Sequence, residues 1–129
     1  MNGHFSVDVD PARRLIKVKM GGFFSLDDVA GYHDAVHRAT ARAGGLPSQQ
    51  RMICDISDMR IQTQDVVDAF RRVMGDPKYR QRKVGFVVAS SLARMQLLRV
   101  IGSRNAQCFA TEAEAEDWVF QVEDSVSAA

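Results

Sequence analysis

Apolar and polar residues alternate twice near the start of the chain. Phe5, Val7 and Val9 are separated by Ser6 and Asp8, and Ile16, Val18 and Met20 by Lys17 and Lys19. A period of two places each apolar set on one face of a strand. Between the sets, Asp10-Pro11-Ala12-Arg13-Arg14 supplies a turn, because Pro11 presets φ and Asp10 can bond the backbone that follows. The pattern predicts an antiparallel hairpin whose second strand ends at Gly21 and Gly22.

The period then changes to that of a helix. Ser25-Leu26-Asp27-Asp28 matches a capping box, and a step of about 100° per residue puts Leu26, Val29, Tyr32, Val36, Thr40 and Ala43 on one arc, with Asp27, Asp34, Arg38 and Arg42 opposite. Gly44 and Gly45 stop this helix. After Leu46 to Gln50, the continuous apolar run Met52 to Ile56 predicts a central strand covered on both faces. Thr63 to Met74 carries Val66, Val67, Phe70, Val73 and Met74 at helical spacing, with Thr63 as its N-cap and Gly75 and Pro77 as its stop. Val84 to Ala89 is a further buried strand, followed by a third helix over Ser91 to Ile101 and a stop at Gly102. Ala106 to Ala110 gives a short last strand. Thr111 to Glu114 is a second capping box, opening a helix that turns Trp118, Val119 and Val122 inward, and Val122 to Ala129 is expected to fray. Strand, strand, helix and then three strand and helix pairs predict one α/β domain. Its sheet is five-stranded, mixed and mostly parallel, with about four helices, an antiparallel N-terminal hairpin and a core over about residues 5–122.

With 129 residues the chain is long enough for one ordinary core and too short for two. Seventeen Lys and Arg against 16 Asp and Glu leave a formal charge of +1, so no overall field draws in nucleic acid or anionic lipid. No apolar run approaches the ~20 residues of a membrane span. The N-terminus also lacks the charged and apolar regions of a secretory signal, so a cytoplasmic location is expected. Cys54 and Cys108 both lie in apolar strand segments, where they are read as small buried hydrophobes and not as a disulfide.

Cys54-Asp55-Ile56-Ser57-Asp58-Met59 at the end of a central strand, a helix soon afterwards, Val84 to Ser91, and Phe109 to Val119 together resemble the SpoIIAA-like family, over Phe5 to about Val122. That resemblance implies a STAS-like α/β fold. Anti-sigma-factor antagonists of the STAS class carry a phosphoacceptor serine in a DSSG-type motif where the second helix starts. Here that stretch is Ile61-Gln62-Thr63-Gln64-Asp65, which lacks the motif and leaves Thr63 and Ser57 as the nearby candidate phosphoacceptors. The family is also similar in fold to lipid-binding CRAL-TRIO domains, which implies an apolar ligand as an alternative role.

Candidate chemistry is sparse. His33 and His37 have the i, i+4 spacing of a metal pair, but no third ligand has a motif of its own, so no metal and no cofactor is expected. In open parallel sheets, ligands gather beyond the carboxyl ends of strands, where helix N-termini present amides. Those ends supply Asp55, Ser57, Asp58 and Thr63, and then Ser90, Ser91 and Arg94, with Arg94 placed to join an anion. Ser90 or Ser91 also suits the cap of the third helix. No phosphate-binding glycine motif or nucleophile elbow accompanies them. In the third helix Leu92, Met95 and Leu98 form one stripe while Leu97 and Val100 point elsewhere, so either two layers of the fold cover it or the second stripe meets a partner subunit or an apolar ligand. Lys78 to Lys83, with Arg71 and Arg72, is the only basic cluster and reads as a solvated loop, so no nucleic-acid partner is expected. The sequence therefore predicts a non-catalytic regulatory or protein-interaction domain of bacterial type, acting through a protein partner or as a homodimer. The alternative is a carrier or sensor of a small apolar or anionic ligand.

Overall fold

The computed structural model of the chain describes residues 2–76, 81–101 and 105–121, with side chains given up to residue 98 in the third helix. Strands β1 (His4–Asp10), β2 (Leu15–Gly22), β3 (Arg51–Met59), β4 (Lys83–Val87) and β5 (Ala106–Phe109) form one sheet in the order β1-β2-β3-β4-β5. β1 and β2 are antiparallel, and every other pair is parallel. Helices α1 (Leu26–Ala43), α2 (Gln64–Met74) and α3 (Ser91–Ile101) are the crossovers, and α4 (Glu112–Val119) follows β5. Pro47–Gln49 forms one 3₁₀ turn. Pro77, Lys78, Gly102 and Val122 to Ala129 lie outside the described residues.

Successive crossovers that all advance in one direction, each right-handed, must lie on one face of the sheet. The core follows that rule. Ile16, Val18, Met20, Met52, Cys54, Ile56, Val84 and Phe86 meet Val29, Tyr32, Val36, Ala39 and Ala43 of α1, Val66 and Ala69 of α2, and Leu97 of α3. On the other face Leu15, Ile53 and Val87 meet Ala115 and Val119 of α4, with Phe109, Trp118 and Phe120 packed against them. Gly85 allows that close approach: a Cβ there would lie 3.1 Å from Ala115 Cβ and 3.3 Å from Val119 Cγ1.

Both predicted capping boxes are present. Ser25 Oγ accepts from Asp28 N while Asp28 Oδ2 accepts from Ser25 N, and Thr111 with Glu114 repeats the exchange. Three expectations need correction. Leu26 is 51% exposed, because the buried stripe of α1 begins one turn later, and Ala39 takes the inward place expected of Thr40. The Thr63 hydroxyl does not cap α2 but donates to the carboxylate of Asp65. Lys83 is not part of a solvated loop: it is 5% exposed. Its ammonium donates to Trp118 O and Gln121 O at 3.1 and 3.3 Å and stands 4.8 Å from the Trp118 ring centre. A cation at the carboxyl end of α4 satisfies carbonyls that the helix leaves open.

Gln62 joins three segments at one end of the sheet. Its Oε1 accepts from Phe24 N at 2.8 Å, and its Nε2 donates to Gly22 O at 3.0 Å and to Arg60 O. Its backbone pairs reciprocally with the Gln96 side chain of α3, Gln62 N donating to Oε1 at 3.1 Å and Gln96 Nε2 donating to Gln62 O at 3.0 Å. Gln62→Ala strands the Phe24 amide and the Arg60 carbonyl, each worth roughly 1–3 kcal/mol, while Gly22 O keeps its bond from Arg60 N. Urea unfolding should show a loss of about 3 kcal/mol, and a loss below about 1 kcal/mol would mean that the joint carries no such weight.

Candidate functional site

The residues singled out at the strand ends separate into two groups on opposite sides of the sheet. Asp55 lies between Cys54 and Ile56, which face α1 to α3, so it stands on the α4 side. Its Oδ1 accepts from both Ser57 N and Ser57 Oγ. Lys19 is level with Asp55 but Gly21 with Asp58, so β3 carries one extra residue there, a β-bulge. In an unbroken strand Asp55 and Asp58 would face opposite sides; the bulge brings both alongside the Lys19 and Gly21 face of β2. A Cβ on Gly21 would lie 2.5 Å from the His4 ring and 3.1 Å from Asp58 Cβ, so His4 and Asp58 cover that glycine.

Ser90, Ser91 and Arg94 belong to the other layer. Ser90 Oγ accepts from Ala93 N at 3.1 Å, which makes Ser90 the cap of α3, while Ser91 is exposed in the first turn. Arg94 is exposed and flanks β5, where its charge acts on Cys108. Burial pushes the Cys108 thiol above its ordinary pKa, and Arg94 opposes that shift only in part. Among the described residues, no hydrogen bond or ion pair joins Asp55 and Ser57 to Ser90, Ser91 or Arg94. The physical reason is topological. A ligand crevice of the expected kind opens where strand order reverses, and this order never reverses.

Of the candidate phosphoacceptors, the Ser57 hydroxyl donates to Asp55 and the Thr63 hydroxyl to Asp65, whose carboxyl that bond holds below the usual range. His33 is half-buried with Nε2 3.9 Å from Asp76, and His37 is exposed. Among the described residues no three His, Cys, Asp or Glu side chains converge as a metal site. Leu97, expected to face a partner, is 9% exposed and belongs to the core, because the helix turns that side onto the sheet. The outward stripe is Leu92, Met95 and Leu98, which are 60%, 58% and 53% exposed. The Val100 side chain lies outside the described residues.

A site absent from the sequence reading lies under α3. Met20, Ile56 and Phe86 of the sheet form the floor of a cleft, α2 gives it Val67, Phe70 and Met74, and α3 gives it Ala93, Gln96 and Leu97. Tyr32, Met59, Arg60 and Gln62 complete the lining of this cavity of about 70 Å³. Its wall is braced by ring contacts: Tyr32 and Phe24 stand 5.8 and 5.4 Å from Phe70, and Phe5 touches both. Three methionines in the lining, Met20, Met59 and Met74, make it adaptable in shape. Arg60 is its single charged residue, and the Arg60 guanidinium has no hydrogen bond or ion pair among the described residues. No signal short of the strand register could have located this cleft, since its residues come from six elements and one loop.

A sheet extended by an antiparallel hairpin at one edge, with three crossover helices on one face and a last helix on the other, is also found in a solved protein. The crystal structure of an uncharacterized DUF3478-family protein with a SpoIIAA-like fold, from Shewanella loihica PV-4, superposes with a TM-score of 0.67, at 13% identity, over 92% of this chain and 94% of that one. The fold is SpoIIAA-like. Neither a protein-family model nor a curated protein matches the sequence. Likeness at this identity carries the SpoIIAA-like architecture alone. No helix among the described residues is long and apolar enough to cross a membrane.

The caps and the thiol are open to measurement. Ser90→Ala should lower stability by about 1 kcal/mol and Ser91→Ala by under about 0.5 kcal/mol, as read from chemical denaturation; equal losses would deny Ser90 its capping role. Alkylation of Cys108 should rise with pH through a midpoint above that of an unhindered cysteine, and Arg94→Ala should move that midpoint higher still.

Proposed function

We propose that this chain is a non-catalytic cytoplasmic binding module that holds a small, largely apolar ligand in the cleft between α2, α3 and the sheet. The observation that carries the reading is the cleft itself. It is a concave space with eight or more apolar side chains and one charged residue in its lining, the usual make-up of a ligand site. The absence of a convergent acid and base pair in that lining supports binding over catalysis. At about 70 Å³, the cavity has several times the roughly 10–15 Å³ that one water needs. It therefore suits a chain of about five carbons or a part of a larger molecule.

A second reading, regulation through a protein partner, is favoured by a different observation. α3 turns Ala93, Gln96 and Leu97 to the cleft and Leu92, Met95 and Leu98 to solvent. A partner seated on the outer stripe would rest on the same helix that walls the cleft, so the two roles are compatible on one element.

Methionine methyl NMR separates them. Met20, Met59 and Met74 line the cleft, Met52 is buried elsewhere in the core, and Met95 is on the outer stripe. Titration with hexan-1-ol should shift the first three methyls and leave Met52 and Met95 in place. Burying about five methylenes at ~0.8 kcal/mol each gives a Kd on the order of 1 mM. Shifts at Met95 alone, or none, would sink the ligand reading.

A further inference from the structure

The cleft carries a single charged residue. Arg60 follows directly on β3, where its backbone N–H donates to Gly22 O at 3.1 Å and its carbonyl accepts from Gln62 Nε2. Besides Arg60 the lining carries three polar side chains, Tyr32, Gln62 and Gln96, and both glutamines are already engaged with protein. Gln62 spends its carboxamide on Phe24, Gly22 and Arg60, and Gln96 spends its own on the Gln62 backbone. A ligand therefore finds no available neutral amide at either glutamine. The one charged group is the guanidinium of Arg60, an exposed residue of the lining; it is a planar fork of donors that no carboxylate of the described residues occupies. No acidic residue lines the cleft to compete for it or to repel an anion.

From this arrangement we infer that the ligand of the cleft is a small amphipathic carboxylic acid. Its apolar part lies among Met20, Ile56, Phe70, Phe86 and Leu97, and its carboxylate is held by Arg60. This inference rests on the ligand reading above and adds the chemistry of the ligand's polar end. A monoanion with two oxygens matches one guanidinium. A phosphate dianion is a poorer match, since no second cation lines the cleft and the Ala93 amide of the first turn of α3 is already bonded to Ser90 Oγ. Uncharged ligands of the same length bury the same carbons but leave the guanidinium with solvent.

The test compares hexanoate with hexan-1-ol at neutral pH, read by the methyls of Met20, Met59 and Met74 in the wild type, Arg60→Gln and Arg60→Lys. Arg60 has no side-chain partner to lose, so the variants should fold; the Met52 and Met95 resonances report this directly. Hexanoate should bind the wild type on the order of fivefold to tenfold more tightly than hexan-1-ol. Arg60→Gln should remove that preference without changing hexan-1-ol binding, and Arg60→Lys should retain part of it. Equal binding of the two probes, or a hexanoate preference that survives Arg60→Gln, overturns the carboxylate assignment and leaves the apolar cleft standing. Failure of both probes to move the three cleft methyls defeats the ligand reading and this inference with it.

Discussion

A single buried carboxamide at the carboxyl ends of β2 and β3 sets the arrangement of everything built beyond them. Gln62 bonds the backbone on both sides of the turn into α1, at Gly22 and Phe24, and the exit of β3 at Arg60. Its own backbone is bound in turn to Gln96. Buried backbone groups at a sheet end have no ladder to pair with and must find partners elsewhere. Here one side chain answers three of them, and that solution also fixes the distance at which α3 stands from the loop that starts α2. The cleft is the space left between those two helices once that distance is set.

The sequential strand order supplies the second constraint. With α1, α2 and α3 all on one face, the sheet has a thick side and a thin one, and the polar groups at the strand ends fall on different sides of it. Asp55, Ser57 and Asp58 serve the bulge and the open face, whereas Ser90 and Arg94 serve α3 and β5. A recognition site assembled from both sets would need a crevice that this topology does not provide. The concave space forms inside the thick layer instead, where side-chain volume and not strand order decides the shape.

Much of the architecture was legible because it rests on local chemistry. Alternation at Phe5 to Val9 and Ile16 to Met20, the capping boxes at Ser25 and Thr111, and the apolar runs at Met52 and Val84 each follow from neighbours in sequence. Those local signals yield the element order, the hairpin and the mixed sheet. What escaped depends on partners far along the chain. The bulge in β3 exists only in relation to the register with β2. Lys83 is buried because the end of α4 arrives 35 residues later to receive it. Gln62 sits in a polar loop and looks no different from a solvated glutamine. The stripes of α3 were visible, but the helix is apolar on several sides, so only its docking shows that Leu97 is inward and Met95 outward. Thr63 holds the N-cap position as expected, but its hydroxyl makes no capping bond because Asp65, two residues on, offers it a charged acceptor.

The uneven layering also orders when each face can be covered as the chain is made. α1, α2 and α3 each lie between strands that they connect, so the thick side can close while the chain is still being made, one strand and helix pair at a time. The thin side has no such option. Leu15, Ile53 and Val87 lie in three different strands, yet the helix that covers them comes after the last strand. Until α4 emerges and docks, a nascent chain on the ribosome presents that patch bare beside a nearly finished sheet. In chain order that patch is the last to receive its cover, and the last helix is what completes the second layer.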